Sequence, residues 1–441
     1  MKVHIGLDDT DSPRGGCTTY LGALLVERLL AMGTEFIDYP NLIRLNPNAP
    51  WKTRGNGAVC LRVRCPPEAL EKVEEVIFET LEENSDLTCK NTNPGAVIHV
   101  GDVPPEVRKF ARRAITGLVE LEEAIALIRR FGDSALGLKE GRGLIGALAA
   151  IGEVLDGDHT YELLAYRTPE NRGKRRRVDA DSVFRMDDAT RPLTFNNVDP
   201  QTRRVLITPR GPDPVLLGIR GETPEAVYEA FQMLIVEEPI ERWVIYRTNQ
   251  GTDAHLANVS RIADLRPHYP AIIEGTVLEE PRTIQGGHVI LRVGDGSGEV
   301  DCAAYEPTGD FRRVVRSLVP GDVVRVYGGV RLRGEGHGVT LNMEKLEVLH
   351  LAPKVVYENP LCPRCGRRME SMGRGQGYRC RRCGLRRRDA GKREVVLKRE
   401  VREGLYLPPP RAQRHLTKPL QRYGRENRGF NGCLIDRWHY P

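Results

Sequence analysis

The chain reads as a multidomain α/β and α+β protein that carries an OB-fold β-barrel and a zinc ribbon behind its catalytic part. Three observations carry that reading. The apolar run VHIGL ends in the acidic loop DDTDSPRGGCTT and continues into LGALLVERLL, whose apolar spacing is helical. Residues 271–350 are all strand in texture, with one helical stretch, FRRVVRSL, between the third and fourth strands. The pairs CPRC and CRRC follow at the spacing of a two-knuckle metal site. At 441 residues the chain exceeds one ordinary core.

At the N-terminus, Asp8, Asp9 and Asp11 are hard oxygen ligands where a strand runs into a loop, a placement that suits Mg²⁺ on nucleotide phosphates. Gly15 and Gly16 permit a tight turn before Cys17, Thr18 and Thr19. The helix that follows offers free amides to an anion. Metal ligands, donors and a hydroxyl thus meet in one place, as phosphoryl transfer requires. The same string also reads as a surface turn in which Thr18 or Thr19 caps the helix. Gly55 and Gly57 of TRGNGA form a second loop fit for close approach to phosphate.

From Val59 the chain alternates as a strand and enters a helix led by Pro66 and Pro67. A similar strand, helix, strand unit spans 215–250. The expected grouping joins 61–100 to 201–265 as a ferredoxin-like domain and leaves 1–60 with 101–200 as the catalytic domain. Gly141, Gly143 and Gly146 have the spacing GxGxxG, but without a clear preceding strand they read as small residues for helix packing. Arg175, Arg176 and Arg177 lie in a basic loop suited to RNA backbone contacts.

In the OB segment, 270–350, Arg292, Arg325, Arg331 and Arg333 with Tyr305 and Tyr327 supply charge and stacking for single-stranded nucleic acid. Cys362, Cys365, Cys380 and Cys383 complete a tetrahedral structural Zn²⁺ site over 355–392, from which Arg381 and Arg382 project. Net charge is only +6, yet residues 401–441 hold eight Lys or Arg against three Asp or Glu. The basic tail, 393–441, including Arg414, Lys418, Arg422 and Arg425, is expected to be disordered until it meets RNA. No apolar run reaches membrane-spanning length, and the start reads as a strand and not a signal peptide, so a cytoplasmic protein without membrane contact is expected.

The acidic motif GLDDTDSPRGGCTTYLG, the loop TRGNGA, the OB segment and the CPRC and CRRC ribbon, in this order, resemble the archaeal tRNA-isoleucine 2-agmatinylcytidine (agmatidine) synthetases over essentially the whole chain. That resemblance implies a kinase-like first domain and an ATP-dependent ligase that joins agmatine to C2 of the wobble cytidine in the CAU-anticodon isoleucine tRNA. It also implies phosphorylation of the cytidine C2 oxygen and of an enzyme threonine, whose position Thr18 occupies. A nucleic-acid-dependent ATPase, or a nuclease in which the acidic motif activates water, stays open at this point.

Overall fold

Alternation in the first strand, Lys2–Asp8, decides how the catalytic part is built. Val3, Ile5 and Leu7 point into one hydrophobic core, while His4, Gly6 and Asp8 point to the opposite face. The computed structural model describes residues 1–52, 55–257, 259–333 and 338–441. Thr53 and Arg54 of TRGNGA lie outside the described residues.

On the even face runs the helix Gly143–Gly152, all of whose residues except Ile145 are buried. Glycine makes this contact possible: a Cβ at Gly6 would lie 2.0 Å from the Ala147 carbonyl oxygen, and one at Gly146 would lie 1.8 Å from Asp8 Oδ2. The helix runs antiparallel to the strand, so its positive N-terminal end lies beside Asp8. Its C-terminal carbonyls, from Ala150, Ile151 and Glu153, accept from the Arg62 guanidinium at 3.3, 3.1 and 2.9 Å. The same arginine donates to His4 Nδ1 at 2.9 Å, and His4 Nε2 reaches Gly101 O at 2.9 Å, which fixes a neutral ring.

Burial, reinforced by Arg62, pulls the His4 pKa down to about 3. Protonation below the ordinary value of 6.5 therefore favours the unfolded chain, and stability present above pH 6.5 is lost as the pH falls toward 3. The stability difference between wild type and His4→Gln should shrink by about 1.4 kcal/mol per pH unit across that window. Denaturant titrations at several pH values check this, and a pH-independent difference would contradict it.

The strands form one continuous sheet whose order, by first residue, is 134, 95, 2, 57, 41, 240, 160, 215, 194. Gly57–Arg64 and Gly95–Val100 flank Lys2–Asp8 antiparallel on either side. Thr160–Arg167 pairs with Val215–Gly221 and with Ile240–Thr248. A short parallel pairing, Arg247 with Asn41 and Thr248 with Leu42, joins the two halves. The expected grouping is thereby corrected: 61–100 belongs with the first strand, and the second half takes its third long strand from Thr160–Arg167. Strands near in sequence have paired with each other, and the resemblance between the two strand-helix units does not reflect a shared sheet.

The OB segment closes as expected. Pro270–Val277, Val323–Leu332, Val339–His350, Glu299–Ala304 and Val289–Gly294 follow one another around the barrel, and Val289–Gly294 returns to Pro270–Val277. In chain order helix Asp310–Arg316 lies between Glu299–Ala304 and Val323–Leu332. An antiparallel arm, Lys354–Glu358 with Arg393–Leu397, leads to the ribbon.

The tail departs most from expectation. Leu416, Thr417, Lys418, Arg422 and Trp438 are buried, and His439–Tyr440 adds to the sheet beside Val244 and Trp243. Arg411 pairs with Asp199 at 2.5 Å, and Arg414 pairs with Glu344 at 3.0 Å while donating to Pro47 O at 3.1 Å. The segment is a strap across both halves and the barrel: acids of the second half and of the barrel neutralise its basic side chains, and the first half holds it through Pro47 O and the Tyr39 hydroxyl.

Candidate functional site

Two chambers meet at Thr18. The first has a cavity volume of about 100 Å³; Asp8, Asp9, Asp11 and Arg142 lie on one side, and Leu45, Ala49, Trp51, Leu118, Val119 and Ile145 supply an apolar wall. Consecutive strand residues face opposite ways, yet both Asp8 and Asp9 line this chamber. Asp9 has φ 57°, the left-handed region, and that turn brings its carboxylate round to the side of Asp8. Arg142 Nη2 holds Asp9 Oδ2 at 3.1 Å and also donates to Asn91 O at 3.0 Å. Burial, then the neighbouring Asp9 charge, holds the Asp8 carboxyl well above the usual carboxylate range; burial lifts Asp9 to about 6 against the pull of Arg142. Crowded, desolvated carboxylates of this kind call for a cation.

Asp11 plays a second part. Its Oδ1 accepts from the Thr18 amide at 3.0 Å, at the first turn of Thr18–Ala31, and lies 3.5 Å from the Thr18 hydroxyl. Thr10 donates its hydroxyl to Thr18 Oγ1 at 3.0 Å. Thr18 is therefore held by the acidic loop on one side and lines both chambers. Gly15 and Gly16 differ from expectation: their amides go to Ser12 O at 3.3 Å and Ser12 Oγ at 3.1 Å, closing the turn on itself instead of facing a phosphate. Gly143 and Gly146 fulfil the packing role read for them, and in doing so they seat Asp8. Gly146→Ala should displace that carboxylate and cost at least about a hundredfold in activity, read as product formation by a protein with intact secondary structure.

The second chamber, about 500 Å³, shares Asp11, Thr18 and Gly57 with the first and is mainly basic: Arg44, Arg204, Arg210, Arg220, Arg411 and His415 line it with Thr19, Gly55 and Phe195, beside Glu162 and Asp213. Sequence spacing does not flag Arg44, Arg142, Arg220 or Trp51 and marks His415 only as part of the RNA-gripping tail; these residues come from separate elements. Only the EGRG string near Arg142 drew notice, and for its glycines.

The expected RNA contacts divide. Arg175, Arg177, Arg382 and Arg425 are exposed, as is Arg381, which pairs with Glu370 at 2.6 Å. Arg176 donates to the carbonyls of Pro209, Gly211, Asp213 and Val215, so it braces a loop. Lys418 and Arg422 are buried in ion clusters with Asp158 and are unavailable to phosphate. In the barrel, Arg325 and Tyr327 are tied to Glu347, Arg292 and Arg333 face Asp301, and Arg331 donates to Asn48 O.

The ribbon meets its geometry. The four thiols of Cys362, Cys365, Cys380 and Cys383 lie within 4.8 Å of one another, the only such group of three or more ligand atoms among the described residues. Backbone amides, that of Cys383 first, draw the Cys380 thiol below its ordinary range, while its neighbouring thiols hold Cys383 above its own. Asp8, Asp9 and Asp11 form no such group among the described residues.

Comparison with known proteins agrees with this layout. Residues 4–66 match the family described as the TiaS TCKD domain, 141–255 the TiaS FLD domain, 271–349 an OB-fold nucleic acid binding domain, and 359–401 the TiaS C-terminal zinc ribbon domain. The tRNA-isoleucine 2-agmatinylcytidine synthetase TiaS of Methanosarcina mazei is 46% identical over 97% of this chain and 99% of its own, and that of Pyrococcus horikoshii 45% identical over 95% and 97%. A crystal structure of TiaS in complex with its isoleucine tRNA and ATP superposes with TM-score 0.86 at 43% identity, covering 99% of this chain and 100% of the other. A complex of TiaS with the same tRNA, AMPCPP and agmatine gives 0.85 at 40% over the same shares. With relatives of this identity spanning nearly all of both chains, the chain belongs to the tRNA-isoleucine 2-agmatinylcytidine synthetase (TiaS) family.

Proposed function

We propose that the protein is an ATP-dependent ligase that joins agmatine to C2 of the wobble cytidine of the CAU-anticodon isoleucine tRNA. The observation that carries this reading is the meeting of an acidic chamber and a basic chamber at one threonine, in a chain of this family. The apolar wall with Trp51 suits a purine base, and Asp8, Asp9 and Asp11 suit the triphosphate end. Mg²⁺ fits there; it would be held by Asp8 and Asp9 and would offset phosphate charge. Asp11 holds the Thr18 amide and hydroxyl in place, and Thr18 is the hydroxyl positioned to receive a phosphoryl group.

The basic chamber supports entry of the reacting nucleotide, with Gly55 and Gly57 letting the loop pass close against Arg44. The C2 oxygen of cytidine is a poor leaving group. Transfer of a phosphoryl group from ATP makes it a good one, so that the neutral primary amine of agmatine attacks C2 and the oxygen departs with the phosphate. Exposed Arg175, Arg177, Arg381, Arg382 and Arg425 support contacts to other parts of the RNA. Among the described residues no helix is long and apolar enough to cross a membrane, and tRNA as substrate supports a cytoplasmic enzyme.

Dependence of ATP consumption on agmatine tests the reaction class. ATP turnover should require both the CAU transcript and agmatine and stop when either is left out. Turnover with RNA alone at the same rate would instead identify a nucleic-acid-dependent ATPase.

A further inference from the structure

The loop 46–52 has two faces. With one it walls the acidic chamber, which Asn46, Ala49, Trp51 and Lys52 line. With the other it is fastened to the barrel and to the strap. Asn46 Nδ2 donates to the carbonyls of Gly117 and of His268, just ahead of the barrel, at 2.9 Å each. Arg331 donates to Asn48 O at 3.3 Å and Arg414 to Pro47 O at 3.1 Å, while Arg414 is itself paired with Glu344 of the barrel at 3.0 Å. The Asn48 side chain is fully buried and takes the space that a side chain at position 329 would need: a Cβ on Gly329 would lie 2.1 Å from Asn48 Oδ1. Gly329 and Arg331 share a face of Val323–Leu332 by alternation, so one barrel strand receives both the side chain and the carbonyl of Asn48. Both polar atoms of that buried side chain lack a hydrogen-bond partner among the described residues, a departure from the usual pairing that marks positions held for function. Pro50 alone separates Ala49 from Trp51, and its fixed φ leaves the chain little slack between the docked residues and the ring.

We infer that Arg331 and Arg414 are positioning residues for ATP: from the barrel and the strap they hold the loop 46–52, with Asn48 seated on Gly329, so that Trp51 stands as a wall for the purine. Neither arginine lines the chamber that it shapes. Asp8 and Asp9 sit on a different element, at the end of Lys2–Asp8 and in the turn after it. Loosening the loop therefore weakens the hold on the base and leaves the phosphate end in place. The inference rests on the reading of Trp51 as the purine wall, and its test separates the two.

The experiment measures the Kd of ATP without RNA, and KM and kcat for ATP in product formation, on full-length protein with unchanged zinc content. Arg331→Ala, Arg414→Ala and Gly329→Ala should each weaken ATP by about tenfold or more and raise its KM, with kcat at saturating ATP within about threefold of wild type. Arg331→Lys, which keeps a donor for Asn48 O, should stay within about threefold in Kd. Gly329→Ala changes no charge, so a loss that it shares with Arg331→Ala comes from the loop and not from a cation attracting phosphate. It also reads the loop if Arg414→Ala fails to fold. The CAU transcript, bound without ATP, should keep its salt slope in Arg331→Ala; a slope lowered by about one would make Arg331 an RNA contact and remove its positioning role. ATP affinity within about twofold of wild type in Arg331→Ala and Gly329→Ala, with a loss in Trp51→Ala, would overturn the positioning role alone. Unchanged affinity in Trp51→Ala would overturn the purine wall and the inference with it. A wild type that binds ATP but forms no agmatine product defeats the proposed reaction, and the comparison of Kd values stands.

Discussion

Asp8→Asn should remove agmatine transfer by a factor of about a thousand or more while leaving the free protein as stable as wild type, or more stable. The two halves of this expectation have one cause. Asp8 sits against Gly146 at the N-terminal end of a buried helix, beside Asp9, and burial with that second charge raises its carboxyl well above the usual range. An ionised Asp8 is therefore a cost in the free protein, one that only a bound cation and its phosphate offset. Asparagine keeps the shape, relieves the repulsion and loses the ligand. Thermal unfolding without nucleotide and product formation with it read the two halves. Activity within about tenfold of wild type would remove Asp8 from the reaction; a large fall in melting temperature would make its role structural.

Arg422→Ala should destabilise the protein by about 3–5 kcal/mol and release the strap. Arg422 is fully buried, and its guanidinium donates to Glu222 at 2.8 and 3.0 Å, to Asp158 at 2.8 and 3.1 Å, and to the Gly251 carbonyl at 2.6 Å. Truncation strips the buried Glu222 of its ion-pair partner and leaves the half-buried Asp158 beside it with Lys418 alone as its ion-pair partner among the described residues. Denaturant unfolding should show an earlier transition, and limited proteolysis should cut C-terminal to the barrel. Combining the truncation with Asp158→Asn and Glu222→Gln should recover much of the loss. An unchanged midpoint and an uncut strap would mean that the cluster carries little stability.

The strap also shows where sequence reading reached its limit. Its excess of basic residues is real, but composition counts charges on one segment and not the acids that Asp158, Asp199, Glu222 and Glu344 present from other parts of the chain. The cysteine ribbon was legible because metal coordination forces local spacing, and the barrel because strands and turns recur at short range. The acidic end of the first strand was legible too, since Asp8, Asp9 and Asp11 are near neighbours in the chain. The grouping of 61–100 was not, because strand pairing is a tertiary choice between two similar strand-helix units. The basic chamber was hidden for the same reason: Arg44 and Arg220 come from elements far apart with nothing local to mark them, and His415 is marked only as one residue of a basic tail.

Label transfer tests the central claim most directly. The full-length protein is incubated with ATP, Mg²⁺, labelled agmatine and a CAU-anticodon isoleucine tRNA transcript, followed by nucleoside analysis of the RNA. Label in the wobble cytidine, absent from a transcript with uridine at that position, is the expected result. ATP consumption with no label in the RNA would contradict the proposed reaction.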